Sequence, residues 1–170
     1  MIRLRSRKSL RLKNSDPSSP EKAYQYALRL LTARDYTEAR LREKLRGREF
    51  DEADVAAALV RMTSEGWVDD RRFAERFAES ALASGRYYGP RLRQEMQRRG
   101  LPSEVVCDVL GRIMEEHDEV QAVRTVFERR FSDFSFSSAS DKEKRRAMGF
   151  LQRRGFGFSA IMQILRAAGH

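Results

Sequence analysis

Leu92–Leu110 reads LRQEMQRRGLPSEVVCDVL, and its apolar pattern occurs twice more, in Leu41–Leu59 (LREKLRGREFDEADVAAAL) and in Ala147–Leu165 (AMGFLQRRGFGFSAIMQIL). The three stretches are equal in length, with apolar side chains at the same five offsets. These are Leu92, Met96, Leu101, Val106 and Leu110 in the quoted copy. Before it stand Leu41, Leu45, Phe50, Val55 and Leu59, and after it Ala147, Leu151, Phe156, Ile161 and Leu165. The copies start 51 (92 − 41) and 55 (147 − 92) residues apart, slightly beyond the periods of common solenoids. One supersecondary unit is used three times.

The unit also includes a helix ahead of each copy. Ala23, Tyr26, Ala27, Leu30 and Leu31 lie 51 residues before Ala74, Phe77, Ala78, Ala81 and Leu82, each set at helical spacing. Ser19-Pro20-Glu21 supplies an N-cap, an N1 proline and an acidic first turn, and predicts a first helix to about Ala33. Thr37 and Asp51 are placed to cap helices over 38–46 and 52–65, and Gly66 stops the latter. Asp69 or Asp70 caps the fourth helix, which runs to Gly85. Gly89-Pro90 opens the fifth and Gly100 closes it, and the sixth covers 103–116 with Val106, Val109, Leu110 and Ile113 inward. The seventh covers 118–131, the eighth begins at a cap on Asp141 and ends at Gly155, and the ninth covers 159–168. The seventh helix follows the fourth at a shorter offset (123 − 74) than the eighth follows the fifth (147 − 92), and the loop SDFSFSSASD takes up the difference. No stretch alternates with period two for long enough to make a strand. The expectation is an all-α protein of three tandem three-helix bundles, at 20–66, 67–116 and 117–170, behind a basic, disordered arm at 1–19.

Composition agrees. Hydrophobic content of 41% supports a folded chain, and 35% charged residues suits small units in a row better than one large core. The net charge of +9 (34 − 25) makes an acidic or polyanionic partner a fair expectation. Six cations against Asp16 put +5 in the first nineteen residues and leave +4 for the body. Cys107, the single cysteine, excludes an internal disulfide and fits a reducing compartment; its mid-helix apolar setting predicts a small buried side chain. His117 and His170 with one cysteine match no usual zinc spacing. No apolar run approaches the ~18 to 20 residues that span a bilayer, and no signal-peptide core is present. The start MIRLRSRKSLRLK has the composition of an organellar transit peptide, but a basic arm is the plainer reading, and a cytoplasmic protein is expected.

Nothing in the chain assembles a catalytic set. GxxxxGK[ST] is absent, and Gly155-Phe156-Gly157 follows a helix rather than a strand. Asp69 and Asp70 are more simply helix caps than a general acid and base, and no Ser, His or Cys completes a nucleophilic arrangement with them. Neither enzyme activity nor a cofactor nor a metal is expected. The basic residues are more informative. Arg98-Arg99 precede Gly100, and Arg153-Arg154 precede Gly155, so each pair occupies the last turn of a middle helix. Interaction with the helix dipole, worth ~0.3 to 1 kcal/mol when exposed, accounts for one cation more readily than for a recurrent pair. The candidate partner or DNA contacts are Arg86, Arg91, Arg93, Arg98, Arg99, Arg145, Arg146, Arg153 and Arg154. Tyr87-Tyr88 offers base stacking or, more often, pins the start of a helix. Trp67 is expected as a wedge between the first two bundles, and Phe134, Phe136, Phe156 and Phe158 as braces in the third.

The junction and the middle repeat carry a family resemblance. Gly66-Trp67-Val68-Asp69-Asp70-Arg71-Arg72-Phe73-Ala74, then Gly89-Pro90-Arg91-Leu92-Arg93-Gln94-Glu95-Met96, then Arg99-Gly100, resemble the RecX regulatory proteins of bacteria. The motif residues are Trp67, Asp69, Asp70, Phe73, Ala74, Gly89, Pro90, Leu92 and Gly100. Tyr26-Ala27-Leu28-Arg29-Leu30-Leu31, Leu41, Leu45 and the last repeat also fit, so the resemblance covers about residues 20 to 168. It implies an elongated, curved array of three bundles. It also implies a monomeric, non-enzymatic partner of the RecA recombinase and its nucleoprotein filament on DNA, inhibiting filament extension, strand exchange and ATP hydrolysis in recombination, repair and the SOS response. A weak contact with DNA is the accompanying expectation. The alternatives are a basic helical nucleic-acid-binding module without a recombinase partner, and an adaptor for an unrelated protein.

Overall fold

The computed structural model describes residues 18–168, and these contain nine α-helices and no strand. They are α1 (Pro20–Leu31), α2 (Glu38–Arg46), α3 (Glu52–Ser64), α4 (Asp70–Ala83), α5 (Gly89–Arg98), α6 (Ser103–Glu115), α7 (Glu119–Arg130), α8 (Asp141–Gln152) and α9 (Phe158–Ala167). Every extensive helix–helix contact lies within a unit of three, and in each unit the first helix packs chiefly on the third. The arm expected at 1–19 lies, apart from Ser18 and Ser19, outside the described residues.

The repeated offsets form the cores. Leu41, Leu45, Val55 and Leu59, then Leu92, Met96, Leu101, Val106 and Leu110, then Ala147, Leu151, Phe156, Ile161 and Leu165 are all buried; Phe50 is half-buried. A fully buried Leu or Met such as Leu92 or Met96 contributes about 1.5–3 kcal/mol. Three separate clusters result, and two buried residues cross unit boundaries: Val68 packs in the first core and Tyr88 in the third. The long loop after α7 is pinned by its aromatics. Phe134 meets Phe127 edge-on at 5.3 Å, and the Phe136 amide donates to the Ala168 carbonyl at 2.6 Å.

Local chemistry starts and stops the helices. Ser19 accepts from the Lys22 amide, Thr37 from Arg40 and Asp69 from Arg72. Asp51 makes no capping bond; its amide donates to Ser18. At α8 the cap is Ser140 and not the expected Asp141, because Glu143 completes a reciprocal capping box with Ser140. Gly100 and Gly155 end α5 and α8 in left-handed turns, φ +81° and +100°, where the Leu101 and Phe156 amides reach back to Met96 and Leu151. In the first unit Glu49 holds the repeat position of Gly100 and takes the same turn with φ 64°.

Candidate interaction surface

The ends of the middle helices do more than carry charge. Each forms the joint with the preceding unit. At the first joint the Thr37 hydroxyl, already the α2 cap, donates to the Arg99 carbonyl at 2.6 Å. The Arg40 guanidinium donates to the Arg98 carbonyl, and the Glu38 amide at the start of α2 donates to the Asp70 carboxylate at 2.9 Å. At the second joint the Tyr88 amide donates to the Arg154 carbonyl at 2.7 Å, and the Tyr88 ring stacks on Phe156 at 4.9 Å. Tyr88 holds the repeat position of Thr37 and Arg154 that of Arg99, so both joints join equivalent backbone positions. The carbonyls that a helix leaves orphaned at its C-terminus are satisfied here by the neighbouring unit. Asp69 and Asp70 are therefore two caps: Asp69 for its own α4, Asp70 for α2 of the first unit.

This arrangement divides the predicted contact residues. The second arginine of each pair turns onto an aromatic ring: Arg99 over Phe77 at 4.1 Å, Arg154 over Phe150 at 3.9 Å. In the first unit Arg48 and Tyr26 hold the repeat positions of Arg99 and Phe77, and Arg48 lies over the Tyr26 ring. Arg154 is half-buried, its Nε finds no hydrogen-bond partner among the described residues, and burial together with Arg153 and Arg130 pushes its pKa down. Arg99 and Arg154 are thus committed to packing. Arg86, Arg93, Arg98, Arg145, Arg146 and Arg153 are exposed, and Arg91 is half-buried.

Glu95, absent from the sequence-predicted set, organises α5. Its side chain is only 3% exposed and takes Arg91 at 2.8 Å, Arg98 at 3.1 Å and Arg99 at 3.0 Å. The signal lay in spacing: Arg91 and Arg99 are four residues away and Arg98 three, all on one face. Burial pushes its pKa up, but Arg99, Arg98 and Arg91 outweigh that and hold the carboxyl below the ordinary 4.5. A carboxylate depressed in the fold contributes stability above its unfolded value and loses it as pH falls through the folded one. Because the three guanidiniums are partly solvated, Glu95→Gln should cost about 2 kcal/mol at neutral pH. That gap should close below pH 4.5. Urea unfolding of both proteins in the two regimes measures it, and a pH-independent gap would contradict this origin.

Several expectations are corrected. Cys107 is exposed, with an Arg93 nitrogen 2.9 Å from its sulfur, because Val106, Val109 and Leu110 take the inward face of α6. Trp67 is 54% exposed rather than wedged between bundles; its Nε1 donates to Glu65 at 3.0 Å, and Val68 enters the core instead. Phe158, expected as a brace, is 59% exposed as well. Tyr88 is a joint residue and is buried, so its ring is not open to base stacking. Among the described residues no helix is long and apolar enough to cross a membrane, and no group of three metal-ligating side chains occurs.

Known proteins share this organisation. Residues 23–62, 69–110 and 117–165 match the family models for the first, second and third three-helix domains of RecX. The regulatory protein RecX of Trichlorobacter lovleyi is 40% identical over 147 residues, 86% of this chain and 96% of that protein. The regulatory protein RecX of Thermus thermophilus is also 40% identical over 147 residues, covering 86% of this chain and 92% of that protein. The crystal structure of RecX from Lactobacillus salivarius superposes with a TM-score of 0.71 at 17% identity, covering 88% of this chain and 96% of the other, a likeness of fold.

Proposed function

Because the chain belongs to the RecX family of regulatory proteins, we propose that it is a non-enzymatic, cytoplasmic regulator that binds the RecA recombinase and its filament on DNA. Binding restrains filament extension, strand exchange and ATP hydrolysis, and so tunes recombination and repair. The protein acts as a monomer whose consecutive units reach successive subunits of the filament. The observation that carries this reading is the set of exposed arginines on α5, on α8 and at the α8 terminus. Arg93, Arg98, Arg145, Arg146 and Arg153 are exposed there, while Arg99 and Arg154 anchor the helix ends on aromatic rings. A row of like charges on rigid elements suits an acidic protein surface and raises the rate of encounter.

Groove reading by a third helix has less support. In α6, Glu104, Asp108 and Glu115 face a single cation, Arg112, and α3 has only Arg61 against Glu52 and Asp54. A weak, salt-dependent contact with DNA phosphates accompanies the protein contact. The test is recombinase ATP hydrolysis on single-stranded DNA. The wild-type chain should slow it, and Arg98→Glu with Arg145→Glu and Arg146→Glu should raise the concentration for half-inhibition by about tenfold or more. Equal inhibition by the triple variant removes this face from the interface. Tight DNA binding with no effect on the recombinase would favour the nucleic-acid module instead.

A further inference from the structure

The two joints differ in a way that leaves a site at one of them. At the second joint, Tyr88 and Phe156 stack and are both buried. At the first, the position of Tyr88 is held by the smaller Thr37, which lines a cleft of about 520 Å³ between the start of α2 and the end of α5. That volume lies in the range of natural binding sites.

Its lining is charged and asymmetric. Arg34, Arg40 and Lys44 come from the first unit, and Arg98 and Arg99 from the second, against Asp35, Glu43 and Glu95, a balance of +2 (5 − 3). The three carboxylates are already occupied: Glu95 by its three arginines, Glu43 by Arg40 at 2.6 Å, and Asp35 by Arg76 at 3.0 Å. No carboxylate among the described residues pairs with Arg34 or Lys44; Arg34 lies over the Tyr36 ring at 4.7 Å. The carbonyls that would give the α5 terminus a negative end are covered by Thr37 and Arg40, so the cations dominate the field at the mouth. Tyr36 and Phe73 also line the cleft, and rings beside a bound carboxylate exclude water and strengthen its pairing.

The geometry points to this cleft as a docking site for an acidic side chain of a partner protein, an Asp or Glu flanked by uncharged or basic residues. A nucleic-acid strand fits less well. Its evenly spaced phosphates need an unbroken cationic track, and here Asp35 and Glu43 interrupt it. A peptide presents a single carboxylate to Lys44, Arg34 and Arg98 and needs no unbroken track. The assignment rests on the partner being a protein, as in the reading above, and not on that protein being the recombinase.

Amide resonances of the full chain can be followed during titration with three probes: a short glutamate-containing peptide in an alanine–glycine background, its glutamine counterpart, and an oligothymidylate. The glutamate peptide should shift Tyr36, Thr37 and Phe73, and the glutamine peptide should not. Arg34→Glu with Lys44→Glu should weaken the glutamate peptide about tenfold. Arg124→Glu with Arg129→Glu, exposed on α7 and of equal charge change, should leave it unaltered. Equal weakening by both pairs, no shift with the glutamate peptide, or oligothymidylate acting at lower concentration than the peptide each overturns the assignment. Loss of peptide binding with recombinase inhibition intact upholds the cleft and gives it another protein partner. Failure of the wild-type chain to inhibit the recombinase while the peptide still binds sinks only the recombinase reading.

Discussion

Gly155→Ala is expected to destabilise the joint between the second and third units by about 4 kcal/mol, the sum of a left-handed backbone penalty and a backbone clash. The residue has φ +100°, and a Cβ placed on it would sit 2.2 Å from the Tyr88 carbonyl oxygen and 2.6 Å from the Arg91 Cβ. Neither contact is with the end of a flexible side chain, so relief requires the two units to separate. Separation would break the Tyr88–Arg154 hydrogen bond and the Tyr88–Phe156 stack together. Thermal unfolding should show the third unit melting earlier, by roughly 8–16 °C for a chain of this size. Gly111→Ala is the control: nothing lies within 4 Å of its added Cβ, on α6, and it should stabilise by about 0.5–1 kcal/mol through backbone entropy. If the two variants melt alike, close backbone approach is not what requires glycine at 155.

Thr37→Val should cost about 3 kcal/mol although it hardly changes the volume of a side chain that is 1% exposed. The hydroxyl accepts from the Arg40 amide at 3.2 Å and donates to the Arg99 carbonyl at 2.6 Å. Losing the cap costs about 1 kcal/mol, and leaving a part-buried carbonyl without its donor costs about 1–3 kcal/mol more. Thr37→Ser retains both bonds and should stay within about 1 kcal/mol of the wild type. Urea midpoints and the hydrogen exchange of the Arg40 amide report the two losses separately. Serine and valine variants of equal stability would mean the hydroxyl holds nothing across the joint.

The family's regulatory character and the all-helical repeat therefore come with a specific mechanical feature. Middle helices meet end to start at equivalent positions, through the Thr37 hydroxyl at the first joint and the Tyr88 amide at the second, and the cations near those ends fall into two kinds. The same motif residues that marked the resemblance now have physical roles. Gly100 allows close approach to Ala39, where an added Cβ would lie 2.5 Å from that residue's Cβ. Leu92 is core, and Asp70 caps a helix of the neighbouring unit.

Much of this was legible in the chain. Periodicity located the helices, and fourteen of the fifteen repeated apolar positions are buried, because an amphipathic helix this short is stable only with its apolar face covered. Capping residues and glycines set the ends to within three residues, since their chemistry is local. Side-chain direction was less legible. Cys107 follows Val106 by one residue, which is about 100° round a helix; apolar neighbours in sequence therefore did not make it buried. Trp67 reads as core by composition, yet its indole is held outside by Glu65.

The three-unit helical architecture and the positions of its cores were determined by the sequence alone, through the recurrence of one apolar pattern and the burial it demands. Which arginine of each pair faces solvent was decided only by the tertiary structure. Arg98 and Arg99 are adjacent and chemically identical, and the rotation that docks α5 on Thr37 sends one outward and lays the other over Phe77. The cleft beside Thr37 at the first joint was likewise decided only by the tertiary structure. Thr37 and Tyr88 occupy one position of the repeat, but the space beside each depends on what the neighbouring unit brings against it.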